Sequence, residues 1–138
     1  MTPMYTASAV ATGDGRNGRV ESTDGLLAAD VRIPTEMGGP GGATNPEQLF
    51  AAGYAACFHS ALRLVAQQTG ADVSDSEVVA DVSIGDNGQG GFGLAVALEV
   101  TLPKVEREVA EDVVAKAHQV CPYSNATRGN VEVTLTVA

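Results

Sequence analysis

Residues 45–65 read Asn45-Pro46-Glu47-Gln48-Leu49-Phe50-Ala51-Ala52-Gly53-Tyr54-Ala55-Ala56-Cys57-Phe58-His59-Ser60-Ala61-Leu62-Arg63-Leu64-Val65. The opening four residues spell a helix start. Asn45 can cap the first exposed N–H groups, Pro46 suits the first helical position, and Gln48 stands at capping-box spacing from Asn45. The helix is predicted over Pro46 to about Gln68. Its middle is apolar or small on every face until His59, Ser60 and Arg63, the mark of a central, buried helix. Gly53 lies one turn before Cys57, and the alanines around both leave room for another backbone to come close.

Upstream, residues 4–11 and 18–33 alternate polar and apolar, and Asp24-Gly25 interrupts the second stretch as a hairpin signal. The Gly38-Gly39-Pro40-Gly41-Gly42 run is a loop. It lacks the Gly-Lys-Ser/Thr ending of a phosphate loop, and no strand leads directly into it. Downstream, Val78–Ile84 alternates again, Asn87 to Gly91 turns the chain, and Phe92–Leu102 returns as the second arm of a hairpin. After Pro103, Val105, Val109, Val113, Ala117 and Val120 recur at helical spacing, with acids early and Lys116 and His118 late, as a helix dipole favours. That helix is expected to end at Cys121-Pro122, and Val131–Val137 reads as a last strand. The order βββαββαβ implies one α+β domain over residues 1–138, with two helices packed against antiparallel sheets.

The chain has 138 residues, 44% hydrophobic but only 4% aromatic and without Trp, so a core of Ala, Val and Leu is expected. Eight Lys and Arg face 17 Asp and Glu for a net charge of −9, and no basic run occurs. Phosphate backbones would be repelled, which argues against nucleic acid as a partner. The first residues show neither a basic n-region nor a long apolar core, and no apolar stretch reaches the ~20 residues of a membrane span. A cytoplasmic chain with no membrane association is expected. Two cysteines in a reducing compartment favour redox or metal chemistry over a permanent staple, unless both are merely small buried hydrophobes.

Cys57 lies in the most apolar helix, where desolvation alone would keep it an inert thiol, so a reactive Cys57 needs a cation. Arg16 and Arg19, in the Gly-rich run after the first strand, are candidates, because a guanidinium can both stabilise a thiolate and bond a substrate oxygen. Each is otherwise a solvated loop arginine. Glu47 lies about 15 Å before Cys57 along one helix. It must therefore act through a long arginine or at a second subunit's site, or serve only the helix dipole. Cys121, at a helix end, suits a resolving thiol. Peroxide chemistry needs one thiolate to attack the O–O bond and a second thiol to condense with the resulting sulfenic acid. Two cysteines far apart in sequence can divide that labour. Zinc on Cys57, His59, His118 and Cys121 is the competing arrangement, but Cys57 and His59 project about 200° apart on a helix. His59 is expected to be semi-buried and His118 exposed.

The segments NPEQLFAAGYAACF around Cys57 and HQVCPYSNATRGN around Cys121 resemble the two signatures of the organic hydroperoxide resistance proteins, a branch of the OsmC superfamily. The likeness runs from TGDGRNGR through GGFGLAVALEVTLP to the last strand. It implies an OsmC-like fold in an intertwined homodimer with sites at the subunit interface. It also implies a peroxidase that reduces organic and fatty acid hydroperoxides to alcohols and holds no bound cofactor. A dithiol, the lipoyl group of a lipoylated protein, is the implied reductant. By motif, Cys57 is the peroxidatic cysteine and Cys121 the resolving one, joined as a disulfide in the cycle. Arg16 is the arginine that polarises the thiolate, and Glu47 the glutamate that orients it. Asp14 stands where many members have glycine. The sister OsmC peroxidases and a non-catalytic binder of hydrophobic ligands are the alternatives.

Overall fold

A computed structural model describes residues 1–138. The chain divides into two compact units, Met1–Leu49 and Phe50–Ala138.

The first unit is a three-stranded antiparallel sheet in the order β1 (Ala9–Asp14), β2 (Asn17–Ser22), β3 (Ala28–Asp30). Asp14 pairs with Asn17 across a two-residue turn made of Gly15 and Arg16. Gly15 has φ +60, a value that side-chain-bearing residues adopt at a cost, so glycine here lets Arg16 occupy the tip of a tight hairpin. The sequence pattern had marked Asp24-Gly25 as the tight turn. The link between β2 and β3 is longer, with Asp24 Oδ1 accepting hydrogen bonds from the Ser22 hydroxyl and the Leu26 N–H. β1 begins at Ala9 rather than residue 4, and all of its residues are exposed.

The 24-residue helix α1 (Pro46–Thr69) starts where expected. Asn45 Oδ1 accepts the Gln48 N–H at 2.9 Å, which is the cap, while the Gln48 side chain accepts from the Thr44 hydroxyl instead of closing the capping box. Gly70, at φ +79, ends it. By length and composition this helix could cross a bilayer, contrary to the reading that no stretch is long enough. Within this fold its Tyr54, Phe58, Leu62 and Val65 face lies in the core. Burial is one-sided. Ala52, Ala56, Ser60 and Leu64 form an exposed stripe along the opposite side, so the helix is not enclosed all round within a single chain.

The second sheet has the order β4 (Glu77–Asp86), β5 (Phe92–Thr101), β6 (Glu132–Val137). Alternate residues Val96, Leu98 and Val100 of β5 are buried and pair with Val82, Ala80 and Val78 of β4. This period-two pattern gives the sheet one apolar face. The helix α2 (Arg107–Val120) adds Ala110, Val113, Val114 and Ala117 to the same core. β6 runs parallel to β5, which corrects the expectation of wholly antiparallel sheets. Two neighbouring strands joined through a helix must run parallel if the helix carries the chain back to the starting end. A third helix, α3 (Pro122–Thr127), was also unforeseen. Cys121 closes α2 and opens α3, with Pro122 at the first position of the new helix. Proline disfavours helical backbone in the residue before it, and Cys121 accordingly adopts an extended ψ of 122°.

Candidate active site

Cys57 and Cys121 come together. Their sulfur atoms are 3.5 Å apart, with the Cys121 thiol donating to Cys57, and both are free thiols. Cys121 is fully buried and Cys57 partly so. Burial pushes the Cys57 thiol up. The Tyr123 backbone N–H pulls the other way, and the Cys121 contact adds to the rise. Desolvation thus works against the thiolate, the direction foreseen for a cysteine on an apolar helix. Cys121 lies at the junction of two helices, closing α2 and preceding the first turn of α3.

Next to Cys57 is an open hollow of about 430 Å³, lined by Cys57, Ser60, Ala61, Leu64, Val120 and Pro122. Apart from the cysteine thiol and the Ser60 hydroxyl the lining is hydrocarbon, so an alkyl group would gain from burial there.

Gly53 lets this part of the protein close up. A Cβ at Gly53 would stand 2.9 Å from the Tyr123 hydroxyl oxygen, so any larger residue would push the Tyr123 ring away from α1. Tyr123, Tyr54 and Phe50 form a ring cluster with centroids 5.7–6.2 Å apart. The chain has only three Tyr and three Phe, so half of its aromatic rings hold α3 against α1.

Arg16 and Glu47 also come together, within the first unit. Arg16 Nη1 and Nη2 donate to Glu47 Oε2 and Oε1 at 2.9 and 2.7 Å, a bidentate pair that fixes the guanidinium plane. Hydrogen bonding to Arg16 is the main reason the Glu47 carboxyl lies below the usual carboxylate range, although partial burial opposes it. The same bond raises Arg16. Arg19, the other candidate, pairs with Asp30 at 3.2 Å on the surface. Because Glu47 is depressed in the folded state, the pair's contribution to stability is complete above the unfolded carboxyl value of about 4.3 and is lost as pH falls through the lower folded value. In urea unfolding, wild type should exceed Glu47→Gln by about 1 kcal/mol near pH 6, a figure kept small because Arg16 is 36% exposed, and the gap should narrow as pH falls below the unfolded carboxyl value.

The two histidines make separate contacts. His59 Nε2 lies 2.9 Å from the Ser76 hydroxyl, and His118 Nδ1 lies 2.8 Å from the Ser124 hydroxyl. His118 is half-buried rather than exposed, because α3 folds back beside the last turn of α2. Desolvation, followed by the nearby Arg128 charge, lowers its pKa. Ser124 and Tyr54, fully buried, and Thr127, nearly so, also bond to one another here. Sequence reasoning had assigned none of these three a role. The available signal was Pro122 at a helix start with Ser124 and Thr127 one turn apart behind it.

Residues 39–136 match the family model of the OsmC-like proteins. An organic hydroperoxide resistance protein of Xanthomonas axonopodis pv. citri is 54% identical over 138 residues, which span 98% of this chain and 95% of the relative. The crystal structure of an organic hydroperoxide resistance protein from Legionella pneumophila superposes with a TM-score of 0.94 at 54% identity, covering 99% of both chains. A further such structure, from Vibrio cholerae with captopril bound in one of the active sites, gives 0.93 at 51% identity over 99% of this chain and 94% of that one.

Proposed function

Because the chain belongs to the OsmC-like family and, within it, to the organic hydroperoxide resistance proteins, we propose that it is a thiol peroxidase reducing organic and fatty acid hydroperoxides to alcohols. The observation that carries the chemistry is the 3.5 Å separation of the Cys57 and Cys121 sulfurs beside an apolar hollow.

The Cys57 thiolate attacks the terminal oxygen of the hydroperoxide. An S–O bond forms as the O–O bond breaks, and the departing alkoxide takes a proton and leaves as the alcohol. Cys57 is now a sulfenic acid. The Cys121 sulfur then displaces its hydroxyl, which leaves as water with the Cys121 proton, and the Cys57–Cys121 disulfide forms. An external dithiol restores both thiols and is itself oxidised to a disulfide. A lipoyl group on a partner protein suits this step, because its second thiol closes the ring within one molecule. No bound cofactor enters the cycle.

The family motif assigns to Arg16 the positive charge that an apolar-helix thiolate and a developing alkoxide require, and Glu47 holds its guanidinium in plane. The hollow favours bulky alkyl hydroperoxides over hydrogen peroxide, since each buried methylene adds about 0.8 kcal/mol. The enzyme works as a homodimer in the cytoplasm. The exposed Ala52, Ala56, Ser60 and Leu64 stripe of α1 and the wholly exposed strand β1 are the surfaces a second copy would cover.

Steady-state peroxide consumption tests this reading. With dihydrolipoamide as reductant, a fatty acid or cumene hydroperoxide should be consumed at least about tenfold more efficiently than hydrogen peroxide, and monothiols should support little turnover. Tight binding of the hydroperoxide without consumption would instead make the protein a hydrophobic-ligand binder.

A further inference from the structure

The buried polar groups around Cys121 form a chain whose direction follows from proton counting. The Thr127 hydroxyl donates to the Ser124 carbonyl at 3.1 Å, so toward Tyr54, 3.2 Å away, it can only accept. The single Tyr54 proton is committed to that bond. The Ser124 hydroxyl, 2.8 Å from the Tyr54 oxygen, must therefore donate to it. With its proton used, Ser124 can only accept from His118 Nδ1 at 2.8 Å. With the Thr127 hydroxyl donating to the Ser124 carbonyl, the run His118 to Ser124 to Tyr54 to Thr127 takes this one direction, and it requires a proton on His118 Nδ1.

The placement gives this chain a purpose. His118 and Ser124 stand three residues to either side of Cys121, and Tyr54 stands three residues before Cys57 on α1. The chain therefore ties the turn that carries one sulfur to the helix that carries the other. None of the four side chains hydrogen-bonds to either sulfur.

We propose that His118, Ser124, Tyr54 and Thr127 are positioning residues for disulfide formation, holding the Cys121 turn against α1 so that the Cys57 sulfenic acid is captured before a second peroxide oxidises it. The proposal rests on the peroxidase reading. The step it governs is the one in which Cys121 sulfur replaces the sulfenic hydroxyl, water leaves, and no outside oxidant or reductant takes part. In competition, a second hydroperoxide transfers oxygen to Cys57, giving sulfinic acid and alcohol.

The test is a partition measurement on the reduced, full-length protein. Rising cumene hydroperoxide is added, free thiols are blocked, and intact mass separates disulfide from sulfinic acid. For Tyr54→Phe, Ser124→Ala and His118→Ala, the peroxide concentration that over-oxidises half the protein should fall about tenfold, because small displacements of reacting atoms cost rate steeply. His118→Asn, whose amide N–H can stand in for Nδ1–H, should return it to within about threefold of wild type. Unchanged partition in all three deletions, with wild type forming its disulfide, overturns the proposal. An asparagine variant no better than alanine overturns the donor role of His118. Nitrogen NMR of wild type is independent of how well any variant folds. It should show neutral His118 protonated at Nδ1, and an Nε2–H tautomer would contradict the chain. If wild type itself forms no disulfide, it is the peroxidase reading that fails.

Discussion

A Cys57→Ser protein is expected to consume organic hydroperoxide no faster than the dithiol alone, a loss of at least about a thousandfold. Serine nearly preserves the volume of the side chain, so α1 and its packing should survive. What disappears is the chemistry. A hydroxyl in this setting stays protonated and cannot displace alkoxide from a peroxide, whereas a thiolate is both ionisable and strongly nucleophilic. Folding is checked by circular dichroism and the activity by peroxide consumption under dihydrolipoamide supply. In the proposed mechanism the Cys57 sulfur is the reacting atom, so Cys57→Ser that kept more than a few per cent of the wild-type rate would remove the mechanism altogether.

Cys121→Ser should behave differently. One equivalent of hydroperoxide should still be reduced, because the attack at Cys57 does not use the second sulfur. Turnover should then fall by at least about a hundredfold, since no thiol lies in place to capture the sulfenic acid, and mass spectrometry should find sulfinic acid at Cys57 as peroxide rises. Steady turnover at the wild-type rate would show that the external dithiol reacts directly with the sulfenic acid. The 3.5 Å contact between the sulfurs would then be incidental. The serine hydroxyl would occupy a fully buried position, so Cys121→Ala serves as the control that leaves no new buried polar group.

Much of this was legible because some residues carry local instructions. Asn45 and Pro46 announce the start of α1, and the hydrogen bond from the Gln48 N–H to Asn45 is that instruction carried out. The spacing of Val113 and Ala117 announces α2, and alternation announces the strands. The family resemblance brought Arg16 and Glu47 together as a pair, and the structure closes them into a bidentate contact.

The remainder depends on tertiary context. Alternation gives the face of a strand but not its direction, so β6 was read as antiparallel although the helices before it carry the chain back to run parallel to β5. Pro122 was read as the stop of one helix when it also starts another, and that choice hid α3, the half-burial of His118 and the buried hydroxyls of Ser124 and Thr127. The all-apolar pattern of α1 was taken for complete enclosure. The chain buries only the Tyr54, Phe58 and Leu62 side, and an all-apolar composition does not tell which faces of a helix its own fold will cover.

The most direct measurement is the intact mass of the reduced protein before and after one equivalent of cumene hydroperoxide, followed by digestion without reductant. The expected result is the loss of two hydrogens, alcohol formed in equal amount, and a single cross-linked peptide pair joining Cys57 to Cys121. A stable gain of one oxygen at Cys57, or alcohol formation with both thiols still free to alkylate, would contradict it.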